Sequence, residues 1–229
     1  MSNLDLNLVD VDGAVREHEA AVAGDTRAAF FRKAAVTGGA VGSAAFFGGM
    51  LPSLAEAKPS KKQDIAILQY ALTLEYLEAE FYELAVKDGG LTGSSLDAAR
   101  LLASDEQAHV KALQTALKSL KGKVVAKPTF DFGGANIGDK FLPTAFVLEN
   151  VGVSAYLGQA GRLKSKALLG AAGSILTIEA RHAGAIAVLL NKNAFGSGSD
   201  NGIAPDGPFD KPASMKATLA KAGPFIKES

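Results

Sequence analysis

Two short runs restrict the fold of this chain more than any other feature. SDEQAHVKAL, Ser104 to Leu113, holds Glu106 and His109; IEARHAGAI, Ile178 to Ile186, holds Glu179 and His182. Residues three apart on an α-helix share a face, so each Glu-x-x-His can offer a carboxylate oxygen and an imidazole nitrogen to one point. Only three histidines occur in the chain, and two of them stand in these pairs. A lone Glu-x-x-His means little, because helix surfaces are rich in Glu. Here the surroundings decide. In heptad spacing the first pair lies on the seam Ala99, Leu102, Glu106, His109, Leu113, Ala116, Leu120, and the second on Leu168, Ala172, Ile175, Glu179, His182, Ile186, Leu189. Both pairs therefore interrupt apolar stripes of the kind that helices bury against one another.

Two further helical runs carry a single carboxylate on such a seam. One reads Ile65, Leu68, Leu72, Glu75, Ala79, Tyr82, Val86; the other reads Leu142, Ala145, Glu149, Gly152, Tyr156. The order is Glu, Glu-x-x-His, Glu, Glu-x-x-His. Glu106 follows Glu75 by 31 positions and Glu179 follows Glu149 by 30, and each single Glu is followed seven residues later by a tyrosine, in a chain with only 4. This is the pattern of a duplicated helical hairpin, with the two histidines in equivalent places.

Four carboxylates facing one core repel each other and lose hydration, at a cost of several kcal/mol per unpaired charge. Two divalent cations balance four carboxylates. Oxygen and imidazole ligands suit iron or manganese, and zinc less well. A ligand set of one Glu from each of two helices and Glu-x-x-His from each of the other two resembles that of the ferritin-like dinuclear bundles. LTLEYLEAEFYELAV, the DEQAHVKAL block and the closing PFDKP to PFI segment are similar to the exported, desiccation-associated branch of that superfamily. The resemblance covers roughly Lys62 to Ile226. It implies an all-α fold, a ferritin-like four-helix bundle of two antiparallel hairpins joined by a long crossover, with a short C-terminal helix. It further implies two divalent transition-metal ions held by Glu75, Glu106, His109, Glu149, Glu179 and His182. Tyr82 and Tyr156 are candidate catalytic residues beside them. Each phenol is either an ordinary core residue or a donor that orients a ligand carboxylate of the opposite half-site.

Turn signals place the helices. The first is expected over 63–87, ending at Asp88-Gly89-Gly90, where glycine supplies a left-handed cap; Asp64 puts negative charge in its first turn. Ser94 or Ser95 can cap the second, which runs to about Lys121 before Gly122. Residues 122–140 contain Pro128 and four glycines and read as a crossover, whose 19 residues can reach about 60 Å when extended, enough to return along a bundle. The third and fourth helices are expected over 142–163 and 166–191, followed by a loop beyond Phe195 and a short helix near 213–222. Glu78, Glu80 and Glu83 fall off the seam of the first helix and are assigned to its solvated face. Asp105 and Arg181 are assigned to the surface.

The chain divides into a tail with an export signal, residues 1–57, and a bundle with a covering segment, residues 58–229. Residues 1–26 are polar and acidic and contain the spare His18. Thr26 to Lys33, TRAAFFRK, resembles a twin-arginine signal, except that Ala28 stands where the second arginine belongs; an apolar Gly/Ala stretch and Ala55-Glu56-Ala57, an A-x-A-like cleavage site, follow. Export to the periplasm or beyond, with cleavage near Ala57, is the expectation. General secretion, or a membrane anchor through an uncleaved signal, are the alternatives. Composition narrows the partners: 24 basic and 24 acidic residues leave no basic excess for nucleic acid, and with no cysteine there are neither disulfides nor thiolate ligands. An oligomer is compatible with all of this. Two functions of different classes remain open. One is oxygen- or peroxide-linked redox chemistry at the dinuclear site, in oxidative or desiccation stress. The other is a non-catalytic envelope stress or binding protein whose metal site is structural or lost.

Overall fold

A computed structural model describes residues 59–190, 203–204 and 208–227. The proposed signal, His18 and most of the loop beyond Phe195 lie outside the described residues. The first helix, α1 (Lys61–Asp88), opens with Ser60, whose hydroxyl accepts from Gln63 N–H at 3.2 Å. It stops where Gly90 takes a positive φ of 63°, while Gly89 before it stays right-handed. The second helix, α2 (Gly93–Ser119), has Thr92 rather than Ser94 or Ser95 at its N-cap. It ends two residues before Lys121, which itself adopts the left-handed conformation at φ 56°. A Cβ at Gly122 would lie 3.0 Å from the Ile65 side chain, so its smallness lets the chain cross α1 closely.

The crossover is pinned by hydrogen bonds rather than by helix. Gly138 N–H donates to Gly89 O at 2.9 Å, and a β-bridge pairs Phe130 with Ile226 near the C-terminus. Phe132 packs between Phe81 of α1 and Phe225 of the tail, with ring centroids 5.3 and 5.5 Å away. A one-turn 3₁₀ segment, Gly138–Lys140, then leads into α3 (Phe141–Ala160). That helix stops three residues earlier than expected, and the turn to α4 (Lys166–Leu189) is held by Asp64. Far from being only a first-turn charge, the buried Asp64 carboxylate accepts the backbone N–H of Lys164 at 2.7 Å and of Ser165 at 3.2 Å. This contact and Gln63 Nε2 to Arg162 O place the start of α1 beside the end of α3, so the two run antiparallel. The short α5 (Met215–Ala222) lies against α3 and α1. Gly158 makes room for the approach to it, because a Cβ there would be 1.9 Å from Ala213 O.

The result is an all-α four-helix bundle, α1 paired with α2 and α3 with α4, closed by a short C-terminal helix. Among its helices α1 is exceptional in that every residue from Tyr70 to Ala79 is buried. No helix among the described residues is long and apolar enough to cross a membrane.

Candidate metal centre

The seams converge where the heptad spacing puts them. Glu75, Glu106, Glu149 and Glu179 are each 0% exposed, and His109 and His182 are buried with them. Ligand atoms of Glu75, Glu106, His109 and Glu179 lie within 4.8 Å of one another, and so do those of Glu106, Glu149, Glu179 and His182. Two groups of four thus share Glu106 and Glu179, one carboxylate from each hairpin, while Glu75 with His109 and Glu149 with His182 belong to one group each.

The imidazoles meet the carboxylates through Nδ1. His109 Nδ1 is 3.0 Å from Glu106 Oε2 and 3.2 Å from both Glu75 Oε2 and Glu179 Oε1. His182 Nδ1 is 3.2 Å from Glu106 Oε1 and 3.3 Å from Glu149 Oε2. The tyrosines cross between hairpins: Tyr82 donates its hydroxyl hydrogen to Glu149 Oε1, and Tyr156 donates to Glu75 Oε1. Burial pushes both phenols well above 10, so each remains a donor. Each hydrogen bond occupies one oxygen of its carboxylate and leaves the other facing inward.

Beyond these imidazole contacts, Glu75 Oε2, Glu106 Oε1, Glu149 Oε2, both oxygens of Glu179 and His182 Nδ1 have no further hydrogen-bond partner among the described residues. Buried polar atoms are nearly always paired, and each unpaired one costs about 1–3 kcal/mol or more when charged. Six at one point require compensation. Protons can supply part of it. Burial opposes charge on His109, but hydrogen bonding to Glu106, Glu179 and Glu75 outweighs it and pushes the imidazole up to about 12; Glu106 and Glu149 likewise push His182 up to about 11. Burial and the Glu106 charge push Glu75 up to about 8, and burial with neighbouring carboxylates pushes Glu179 well up. Glu106 moves the other way, down to about 2, because its two histidine neighbours outweigh its burial. Metal cations would supply the rest more fully, since a carboxylate and imidazole set suits divalent first-row metals. The residues fit metal ions: Glu75, Glu106, His109 and Glu179 could hold one, and Glu106, Glu149, Glu179 and His182 form a second such group.

Two residues assigned to the surface belong here instead. Glu78 is 3% exposed, one turn beyond Glu75, and its carboxyl is pushed well up by burial and by the charges of Glu179, Glu106, Glu149 and Glu75. The seam argument allows one buried face, whereas α1 is buried all round at this level. Glu80 is partly exposed and Glu83 exposed, as assigned. Asp105 keeps 37% of its side chain exposed but places Oδ2 3.1 Å from His182 Nε2, fixing that ring from behind. Its counterpart in the second copy is Ile178, so the repeat gives His109 no matching carboxylate. Arg181 is exposed. Gly152, in the place that corresponds to Glu78, is needed as glycine: a Cβ there would sit 2.7 Å from Glu179 Oε2.

A four-helix bundle with paired Glu and Glu-x-x-His ligands defines a class, the carboxylate-bridged helical bundles. The ferritin-like domain family matches residues 63–192, and the chain belongs to that family. No curated protein matches it.

Proposed function

We propose that the bundle holds two transition-metal ions, iron in preference to manganese and zinc, and carries out oxygen- or peroxide-linked metal redox chemistry. The observation that carries this reading is the convergence of four buried carboxylates and two buried imidazoles in two groups that share Glu106 and Glu179. Bound there, two ions would supply electrons to an oxidant at open positions between them. The protein's own residues supply the rest: the carboxylates balance charge, Asp105 orients His182, and Tyr82 and Tyr156 fix the free oxygens of Glu149 and Glu75. The test is metal analysis after anaerobic loading, followed by exposure to dioxygen or peroxide. About two ions per chain and an optical change on oxidation are expected, from two four-ligand groups. Near-zero stoichiometry would sink the dinuclear site, and two ions with no response to either oxidant would leave a structural metal centre.

Export and a role in desiccation or oxidative stress belong to the same proposal, supported by the TRAAFFRK run, the Ala55-Glu56-Ala57 site and the resemblance to the exported branch. Mature protein beginning at Lys58 is expected outside the inner membrane, with Ala28→Arg raising its yield. Full-length chain confined to the cytosol, and unaffected by Ala28→Arg, would remove the envelope assignment.

A further inference from the structure

The geometry points to two metal positions of unequal strength: the one completed by His182 fills first and keeps its ion, and the one completed by His109 fills second and exchanges it. The inference rests on the dinuclear reading above and adds an order to it. Its basis is one contact that the repeat does not reproduce, His182 Nε2 to Asp105 Oδ2 at 3.1 Å.

The ligands themselves do not distinguish the positions. Each group offers three carboxylates and one imidazole, and Glu106 and Glu179 are common to both. Each unshared carboxylate accepts from one tyrosine hydroxyl, Glu75 from Tyr156 and Glu149 from Tyr82. Both imidazoles turn Nδ1 toward the carboxylates. A difference in strength therefore has to come from what stands behind the rings.

Behind His182 stands Asp105. An imidazole binds a metal through the nitrogen that carries no proton, so with Nδ1 at the ion the ring proton sits on Nε2 and is donated to Asp105. A carboxylate in that place selects the tautomer that leaves Nδ1 free, fixes the rotation of the ring and makes Nδ1 the stronger base. Asp105 belongs to α2 and His182 to α4, so the ring is gripped from the neighbouring helix. His109 has no such support: its contacts are all at Nδ1, and Nε2 meets no acceptor among the described residues. The position that matches Asp105 in the second copy is Ile178, whose side chain has no atom able to accept. Glu78, one turn beyond Glu75, adds no charge that would compensate, because burial and the four candidate ligand carboxylates hold it protonated. Loss of a partner of the Asp105 kind lowers metal affinity about 10–100-fold, which sets the expected gap between the positions.

The test counts free manganese(II) by its EPR signal as the ion is added, without oxygen, to metal-free full-length chain. Two binding steps are expected, about 10–100-fold apart in dissociation constant. His109→Ala should remove the weak step and keep the tight one, and His182→Ala the reverse. Asp105→Ala should bring the tight step down to the weak one, with Asp105→Asn, which keeps an acceptor without its charge, in between. In a chain that already carries His182→Ala, Asp105→Ala should move nothing, because the ring it positions is gone. Two steps of equal strength, or a tight step lost with His109, overturn the order of filling. An effect of Asp105→Ala that persists without His182 overturns the role of Asp105. Should Asp105→Ala unfold the metal-free chain, Asp105→Asn decides alone, and a tight step that it leaves unmoved overturns that role as well. Binding of fewer than two ions by the unaltered chain overturns the dinuclear reading itself, and the order with it.

Discussion

Loading the metal-free protein with two equivalents of divalent iron or manganese at pH 8, without oxygen, is expected to raise its melting midpoint by about 15–30 °C. An ion at a thousand times its dissociation constant stabilises the folded state by about 4 kcal/mol, and two ions by about 8 kcal/mol. For a domain of this size each kcal/mol moves the midpoint by about 2–4 °C. The effect should shrink toward pH 5, and the sign follows from the protons that occupy the empty site. His109 and His182 are raised to about 12 and about 11. Their contribution to stability is complete below their unfolded value of about 6.5 and is lost as pH climbs toward those folded values. Glu75, raised to about 8, behaves in the same sense: protonated it fits the core, and between about 4.5 and 8 the ionised form costs stability. Glu106, lowered to about 2, contributes above about 4.5 and loses that contribution as pH falls through 2. The metal-free protein should therefore be most stable near pH 4.5 and weaken as pH rises from there through 8, more steeply once the histidines' unfolded value of about 6.5 is passed. Metal requires the deprotonated ligands, so binding at pH 7 should also release about two or more protons, measurable by calorimetry in buffers of different ionisation enthalpy. Equal melting of loaded and metal-free protein at pH 8 would contradict the argument. So would a metal-free protein more stable at pH 8 than at pH 5.

The bundle and the six candidate ligands were legible because they depend on local rules. A carboxylate or imidazole on an otherwise apolar heptad seam is visible in one helix, and its recurrence in four leaves one geometry that serves them all. What escaped depends on contacts between helices. Glu78 lies off the seam of α1, but α2, α3 and α5 enclose that helix on more sides than a single seam describes. Asp105 precedes Glu106 and so points off the α2 seam, yet it meets His182 from the neighbouring α4. Asp64 carries the same lesson at the end of the bundle: its partners are the backbone N–H groups of Lys164 and Ser165, a hundred residues away along the chain. A signal for Gly152 was present, a glycine on a seam, but its purpose shows only once Glu179 is seen against it. The inequivalence of the histidines follows from Ile178 standing where the first copy has Asp105, a difference within the repeat whose meaning needs the contact.

Glu106 and Glu179 are equal as members shared by both candidate ligand groups and opposite in their surroundings, and substituting each by Gln should separate the two properties. Both belong to both groups of ligand atoms, so Glu106→Gln and Glu179→Gln should each reduce bound metal well below two ions per chain. Glu75→Gln or Glu149→Gln touches one group and should leave the other filled. In the metal-free protein the two shared positions part company. Glu106 is the one carboxylate in contact with both imidazoles, 3.0 Å from His109 Nδ1 and 3.2 Å from His182 Nδ1. Removing its charge strands the buried His109 beside carboxyls that burial keeps neutral, while His182 retains Asp105 at Nε2, and a buried ion left without its partner costs about 3–5 kcal/mol. Glu179 meets a single imidazole, His109 Nδ1 at 3.2 Å, and its ionised form is opposed by burial and by Glu75 and Glu106. An amide of the same shape carries no charge to desolvate, so Glu179→Gln should leave metal-free stability unchanged or raise it. Denaturant unfolding of the two variants, stripped of metal at pH 7, gives the comparison directly. Equal losses in both would mean that the histidines do not depend on Glu106 in the empty site, and that the proton arrangement derived for it is wrong.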